Sequence, residues 1–287
     1  MKLIALKKSR RNTILLLIFF IILLLPNLGI TSVEWKIKKT LKIEKNPKDI
    51  AVSKDGDRIF ILTAQGTIYV YSSDGTLHDE ISVGKHIDRI KSGPRKNILL
   101  ITSKQNKTIQ VINLEFIQEI DISGSPFKGP ADAPIVIVVF SDFQCKYCSK
   151  LAPLLDQVFN KYPHKVKLVF KNYPLLNHKF AIKAANAALA ANRQGKFWEF
   201  HHLLLENYNC LNNDKIQEIV RDLGLDKDMF QKEMIAPHIM AKIKQDLSDG
   251  KKAGVKGIPA VFINGKLLKN RTLRGFSKII DKELDKH

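Results

Sequence analysis

Two cysteines separated by two residues, Cys145 and Cys148, stand where a predicted strand gives way to a predicted helix. The preceding run 135–140 is apolar and rich in β-branched residues, which predicts a buried strand. After Cys145, apolar residues recur at helical spacing (Leu151, Leu154, Leu155, Val158 and Phe159). The first turn of a helix has unpaired N–H groups and the positive end of the macrodipole, and both favour a thiolate. The pair is therefore predicted to alternate between dithiol and disulfide.

A lone pair of this spacing is also compatible with half a zinc site or with chance. A structural zinc site usually takes four Cys or His ligands. The chain has only three cysteines, and the third, Cys210, lies far along the sequence. His201 and His202 are adjacent, so on a helix they point to different faces. We therefore expect no metal and no cofactor.

Cys210 is expected to be a free thiol, with pairing to Cys145 or to another chain as the alternative.

The formal net charge of +19 is unevenly distributed. Residues 1–32 carry five basic and no acidic side chains, residues 33–124 carry 15 and 12, and residues 125–287 carry 27 and 16. A basic surface can bind nucleic acid. Here the lysines are interspersed with Asp and Glu, without interleaved aromatic residues or a binding motif, which favours a solvated surface. We expect no nucleic-acid partner.

Residues 1–32 have the pattern of a signal peptide or a membrane anchor. Four basic residues between Lys7 and Arg11 precede the unbroken apolar run 14–25. Cleavage and retention both remain open, with retention as an anchor slightly favoured. In either case the flanking positive charge directs the rest of the chain out of the cytoplasm, to the periplasm or the cell surface. Structural disulfide frameworks outside the cytoplasm usually use even numbers of widely spaced cysteines. The closely spaced pair Cys145 and Cys148, with the single remaining Cys210, therefore favours a catalytic dithiol.

Residues 33–124 are predicted to form a small all-β domain. The segment 49–63 resembles 88–102, and 67–70 resembles 108–111, at offsets of 39 and 41. A period near 40 residues with about four short strands per repeat is typical of a β-propeller blade. An ordinary antiparallel meander is the alternative. Two blades cannot close a ring, so this domain is interpreted as a binding or spacer module that can also support oligomers. The alternating pattern of 33–45 predicts one further strand.

A linker over 125–130, rich in turn-forming residues, precedes a second predicted domain over 131–287. After the dithiol helix, 165–171 alternates as a strand. The remaining elements are helices over 178–194, 196–208, 214–222 and 226–250, a strand over 260–264, a turn at Gly265 and a helix over 275–286. This order predicts an α/β fold with an all-α insertion at about 178–250.

These motifs, in this order, resemble those of the DsbA-like thioredoxin-fold disulfide oxidoreductases over residues 128–285. The matching segments are 140–148, Tyr173-Pro174-Leu175 with His178, 194–199, 224–226, Gly254-Val255 to Pro259, and 262–265. The resemblance implies a thioredoxin core interrupted by a helical domain. It also implies a cis Ile258–Pro259 bond facing the dithiol, which leaves the Ile258 backbone free to pair with an incoming peptide.

By the same resemblance, Cys145 is the exposed nucleophile and Cys148 its buried partner. Lys146 and Tyr147, between them, are expected to tune the dithiol, and a folded-back Lys146 ammonium would stabilise the neighbouring thiolate. A depressed Cys145 pKa is therefore expected. One departure from many relatives is Val139, which stands where they carry a buried Glu that moves protons for the buried thiol.

Two polar residues near the motif are predicted accessories. Asp142 is expected at the helix entrance, as a cap rather than a proton shuttle. His178 is interpreted as a histidine of the helix start or core, with a direct catalytic part as the alternative.

The leading functional hypothesis is an extracytoplasmic thiol–disulfide oxidoreductase that oxidises cysteine pairs of exported proteins. Its expected partners are unfolded or thiol-containing exported proteins and a membrane redox partner that reoxidises or reduces the dithiol. Two alternatives remain open: a disulfide isomerase or reductase, and a partner-binding module with a redox-weak thioredoxin platform.

Overall fold

The structure is a computed structural model that describes residues 33–43 and 45–286. The chain divides into two compact units. Among the described residues, the first comprises those up to Lys96 together with Leu100–Val111, and the second comprises Asn97–Leu99 and those from Ile112 onward. The signal or anchor segment predicted over 1–32 lies outside the described residues. Within 33–43 and 45–286, no helix is long and apolar enough to span a membrane.

The first unit is all-β, as predicted. An antiparallel sheet has the order β1-β2-β3-β4 and a second sheet has the order β5-β6-β7. Their strands are β1 (Pro47–Val52), β2 (Arg58–Thr63), β3 (Thr67–Ser72), β4 (Leu77–Ser82), β5 (Arg89–Ser92), β6 (Ile98–Ser103) and β7 (Thr108–Asn113). The second repeat therefore has three strands instead of four, because the chain after β7 continues into the second unit.

The strand predicted over 33–45 is wrong. The described residues of this segment lie in no strand, and Val33, Trp35 and Ile37 are exposed. Alternation alone does not make a strand, since a strand also needs a neighbour that pairs with its backbone.

The second unit is built on a five-stranded sheet of order β12-β11-β9-β10-β8, in which only β9 and β10 are parallel. Its strands are β8 (Phe127–Lys128), β9 (Ile135–Ser141), β10 (Val166–Asn172), β11 (Ala260–Ile263) and β12 (Lys266–Leu267). Its helices are α1 (Lys146–Lys161), α2 (Ala181–Asn192), α3 (Phe197–Glu206), α4 (Asn213–Asp222), α5 (Lys227–Met234), α6 (Pro237–Lys252) and α7 (Leu273–Leu284). Helices α2–α6 form the insertion between β10 and β11.

One predicted helix, over 226–250, is two helices in the structure. The first ends at Met234 and the second begins at Pro237. Proline lacks an N–H and clashes with the carbonyl four residues earlier, so it is favoured in the first turn of a helix and costs stability further along. Pro237 therefore starts a new helix.

The core of the second unit is divided by the sheet. On one face, α1 and α7 pack apolar side chains such as Leu155 and Phe276 against Ile137, Val139 and Val261. The insertion has its own core of alanine, leucine and phenylalanine side chains, which also includes Cys145 and Cys148. The dithiol therefore lies where the thioredoxin-like core meets the helical insertion.

On the other face, residues 114–128 run across the sheet as an extended segment that we call the strap. Ile120 and Ile122 pack against buried side chains of β9, β10 and β11. Gln118 N donates to Gly265 O at 2.8 Å, and the strap ends in β8, which pairs with β10. The sequence interpretation divided these residues between the repeat domain and the linker, whereas in the structure they belong to the second unit.

A fully buried lysine, Lys171, binds the strap from the side of the sheet. Lys171 Nζ donates to Asp121 O and to Asp249 Oδ2, each at 2.6 Å, and lies 3.0 Å from Asp246 Oδ1. Burial by itself would lower the pKa of Lys171, but the Asp249 hydrogen bond and the Asp246 charge raise the pKa above its ordinary value. The buried charge is thus paired, as burial requires.

Candidate active site

Cys145 occupies the N-cap position of α1, with extended backbone angles. Strand β9 ends at Ser141, and Cys145 N donates to Asp142 O at 3.2 Å, which closes the connecting turn. The Ser149 N–H then donates to Cys145 O at 3.0 Å. The N–H groups of this first turn have no partner within the helix, and those of Tyr147 and Cys148 act on the Cys145 sulfur.

Cys148 lies one turn along α1 and is 2% exposed. The Ser141 hydroxyl and the Asp142 backbone N–H donate hydrogen bonds to its sulfur. Burial is the largest influence and raises the pKa of Cys148 far above the ordinary thiol value, and the hydrogen bond to Cys145 raises it further. Cys148 therefore holds its proton at neutral pH.

The pKa of the neighbouring thiol, that of Cys145, is shifted in the opposite direction. A hydrogen bond from the Cys148 thiol is the main influence that lowers the pKa of Cys145, to about 6. Burial opposes this shift, the backbone N–H groups of Cys148 and Tyr147 add to it, and the Asp142 carboxylate opposes it. The direction agrees with the expectation from the helix start, but the leading cause is the partner thiol. At neutral pH the pair is thus one thiolate beside one thiol.

One expectation about Cys145 is wrong. The sequence interpretation made it exposed, whereas it is 6% exposed and both cysteines lie in the core of the insertion as free thiols. Ile258 is partly buried and packs against this same cluster. Cys210, in contrast, is exposed and free, with its sulfur 3.5 Å from Asn207 O.

The Ile258–Pro259 peptide bond is cis, as the resemblance implies. Strand β11 begins at the next residue, Ala260, which is paired with Phe140 of β9. This register places Pro259 beside the end of β9, where the dithiol turn starts. Arg271 Nη1 donates to Pro259 O and ties the proline to the segment before α7.

Asp142 and His178 are brought together, although 36 residues separate them. The His178 Nδ1 atom lies 2.8 Å from Asp142 Oδ2, and the same oxygen accepts from Leu175 N at 2.8 Å. The other oxygen, Oδ1, accepts from Gln144 N at 2.7 Å. The expected capping role of Asp142 is wrong, because the N-cap is Cys145 and the carboxylate instead joins the dithiol turn to the loop after β10.

The two residues between the cysteines face solvent. Tyr147 is 70% exposed, and Lys146 is also exposed. Lys146 is not among the main influences on the pKa of Cys145. Its tuning role, like that of the Tyr147 side chain, stays a prediction.

Val139, in the place of the buried acid of many relatives, is buried among the apolar side chains of α1 and α7.

Ser141 and Gln144 are functional neighbours that sequence reasoning missed. Ser141 donates to Cys148, and Gln144 Oε1 accepts from Phe180 N at 2.5 Å. The signal available for Ser141 was its position as the one polar residue ending a buried strand directly before the dithiol turn.

Aromatic rings pack around Phe143, which lies in the dithiol turn. Phe143 stacks on Phe170 with ring centroids 5.2 Å apart, and the buried His201 contacts both rings edge-on. Burial lowers the pKa of His201 well below the ordinary histidine value, so this ring is neutral. Within the part of the chain that the structure describes, no group of three or more His, Cys, Asp or Glu side chains is arranged to hold a metal ion.

Among curated proteins, the chain is 32% identical over 154 residues to the Na(+)/H(+) antiporter NhaA 3 of Salinispora tropica. The match covers 53% of this chain but only 24% of the antiporter, so the chain spans about a quarter of the length of that relative.

Among solved structures, a thioredoxin-like oxidoreductase from Silicibacter pomeroyi is 27% identical, with a TM-score of 0.51, and the match covers 57% of this chain and 94% of that one. The thiol-disulfide exchange protein alpha-DsbA2 from Wolbachia pipientis is also 27% identical, with a TM-score of 0.52 and coverage of 56% and 87%. A family model described as thioredoxin matches residues 122–282, more than half of the chain. The chain therefore belongs to the thioredoxin family, with the DsbA-like thiol–disulfide oxidoreductases as its structural neighbours.

Proposed function

We propose that this protein is an extracytoplasmic thiol–disulfide oxidoreductase that oxidises cysteine pairs of exported proteins. The observation that carries the proposal is the opposite behaviour of two adjacent thiols. The pKa of Cys145 is lowered to about 6, while burial raises the pKa of Cys148. Adjacent sulfurs with such different affinities for a proton are suited to opening and closing a disulfide.

In the first step, a substrate thiolate attacks the Cys145 sulfur of the Cys145–Cys148 disulfide. The bond between the two enzyme sulfurs breaks, a substrate–Cys145 disulfide forms, and Cys148 leaves with the electron pair. The high pKa of Cys148 means that this sulfur takes up a proton at once. Since no acid occupies the position of Val139, we expect that proton to come from solvent or from the substrate.

In the second step, another thiolate of the substrate attacks the substrate sulfur of the mixed disulfide. A disulfide forms within the substrate, and Cys145 leaves as a thiolate. The substrate has lost two electrons and the enzyme has gained them. A leaving thiolate of low pKa stabilises the reduced enzyme, which makes the oxidised enzyme the stronger oxidant.

The proposal extends to the place of this reaction and to its partners. The charged and apolar segment 1–32 supports export, with cleavage or anchoring as the two outcomes. A disulfide donor in the membrane is the proposed redox partner that restores the enzyme disulfide. The cis-proline segment, at Ile258 and Pro259, is the proposed site for the extended chain of the client. Oligomers through the β-repeat domain belong to the same proposal.

Equilibration with glutathione tests the direction of the reaction. The enzyme disulfide and two glutathione thiols exchange with the enzyme dithiol and one glutathione disulfide, and the fraction of dithiol is measured after acid quenching. We expect the dithiol to dominate even in strongly oxidising glutathione mixtures. A dithiol that forms only in strongly reducing mixtures would indicate a reductase, and an absence of exchange would contradict the proposal.

Trapping tests the roles of the two cysteines. Cys148→Ala removes the resolving thiol, so mixed disulfides with unfolded thiol proteins should accumulate. Cys145→Ala should abolish them. Cys210→Ala is the matched control, since it removes the exposed cysteine outside the dithiol motif and should leave trapping unchanged. A Cys148→Ala protein that forms no mixed disulfides would count against the mechanism.

A further inference from the structure

The buried carboxylate of Asp142 lies next to the dithiol, and its negative charge disfavours the Cys145 thiolate. The Asp142 side chain is fully buried, and its charge opposes the hydrogen bond from Cys148 that lowers the pKa of Cys145. Two negative charges brought together in a poorly solvated site destabilise each other. A buried acid at this position therefore weakens the Cys145 thiolate unless another group offsets its charge.

His178 is placed to provide that offset. Its Nδ1 atom lies 2.8 Å from Asp142 Oδ2, and its side chain is 22% exposed. A ring N–H that donates to a carboxylate draws the negative charge toward itself, and an imidazolium would do so more strongly. The other contacts of the carboxylate, from Leu175 N and Gln144 N, are backbone donors that carry no net charge.

The same contacts hold the dithiol turn in place. Asp142 N donates to the Cys148 sulfur, while its carboxylate is bonded to the loop after β10. Gln144 Oε1 accepts from Phe180 N, at the start of α2, which adds a second tie between the two segments. Asp142 is thus linked to both sulfurs, to one through its backbone and to the other through its charge.

We propose that Asp142 and His178 form a charge-compensated pair of positioning residues that sets how strongly the dithiol attracts electrons. Asp142 fixes the dithiol turn at the cost of a charge unfavourable to the Cys145 thiolate, and His178 offsets that charge. The inference rests on the proposed function and adds to it the residues that adjust the oxidising strength.

The test uses the full chain and a double-mutant cycle. Thiolate formation in the reduced protein is followed by its ultraviolet absorbance as a function of pH, and the glutathione equilibrium is measured on the same samples. His178→Ala exposes Cys145 to the uncompensated Asp142 charge, so its thiolate should form at higher pH. The protein should then be a weaker oxidant by about three- to tenfold in the glutathione equilibrium constant.

Asp142→Asn removes the charge and should act in the opposite direction by a similar factor. In the Asp142→Asn background, His178→Ala should have no further effect, because there is no charge left to offset. His178→Gln, which keeps a side-chain donor, should recover part of the loss. A purely structural role predicts instead that the single variants lose stability additively and leave the thiolate titration unchanged.

His238→Ala is the matched control, since His238 also lies 3.0 Å from a carboxylate, that of Glu233, but has a side chain that is 59% exposed. It should change neither readout. Suppose that the wild type exchanges with glutathione but His178→Ala changes neither the thiolate titration nor the glutathione equilibrium. That result would contradict the proposed role of the Asp142–His178 pair and leave the proposed function intact. If the wild type does not exchange, the proposed function fails, and the absorbance titration still decides the pair because it needs no second reactant.

Discussion

At the scale of single residues, the two sulfurs differ because their surroundings differ. Cys145 stands at the start of α1, where it receives hydrogen bonds from the Cys148 thiol and from backbone N–H groups. Cys148 points into the apolar core, where burial disfavours its charged form. The protein thus obtains a thiolate and a thiol from two identical side chains three positions apart.

This difference predicts a pH-dependent stability of the reduced protein. The pKa of Cys145 is about 6 in the folded state, below the unfolded reference of about 8.5. The thiolate's contribution is therefore full above the unfolded value and is lost as pH falls through about 6. Between these values the free energy of unfolding should rise with pH, by at most about 1.4 kcal/mol per pH unit. Chemical denaturation of the reduced protein across this interval measures the slope.

Two controls accompany that measurement. The oxidised protein has no Cys145 thiolate, and reduced Cys145→Ala has no Cys145 thiol, so both should lack this part of the slope. A slope that is the same in all three proteins would show that other groups cause it.

At the scale of structural elements, the strap decides where the second unit begins. Its side chains alternate, so that Leu114 is buried and Ile120 and Ile122 are partly buried, while Ile117 between them is 63% exposed. The Lys171 ammonium binds the Asp121 carbonyl from the sheet side. The strap therefore covers the face of the sheet opposite α1 and α7.

Truncating the inward-facing side chains of the strap should destabilise the second unit. Ile120→Ala and Ile122→Ala each remove partly buried apolar surface over the sheet. We expect each to lower the free energy of unfolding by about 1–2 kcal/mol, below the cost for a fully buried isoleucine. Urea denaturation measures the change.

Ile117→Ala is the matched control, because it alters the same residue type in the same segment on its exposed side. It should change stability by less than about 0.5 kcal/mol. Equal losses for Ile117, Ile120 and Ile122 would contradict the packing of the strap.

At the scale of the whole molecule, the proposed chemistry lies in one unit. The groups named as acting on the two sulfurs lie in residues 141–148 and 178, all within the second unit. The first unit is made of β-repeats and contributes none of them. Its proposed part is therefore the choice of clients or partners rather than the exchange reaction.

A fragment that begins at Ile112 tests this division. It retains the strap, the dithiol and the insertion, so its glutathione equilibrium constant should equal that of the full chain within experimental error. The set of proteins trapped by Cys148→Ala should differ between the fragment and the full chain. A changed equilibrium constant in a fragment with native circular dichroism would show that the first unit acts on the dithiol.

Much of the site could be predicted because its signals are local. The strand, the turn and the helix around Cys145 are encoded within a few residues of one another by periodicity and by backbone preference. The cis bond at Pro259 followed from family resemblance and from the rarity of cis bonds elsewhere. The all-β character of the first unit followed from its repeats and turns.

The rest depended on contacts between distant parts of the chain. Local patterns in the sequence were enough to locate the dithiol, to predict the elements before and after it, and to identify the family that it resembles. The burial of Cys145, the contact between Asp142 and His178, and the place of the strap in the second unit became visible only in the folded chain. The physical reason is that local propensities act over one or two turns, whereas burial and charge pairing are set by neighbours that only the folded chain brings together.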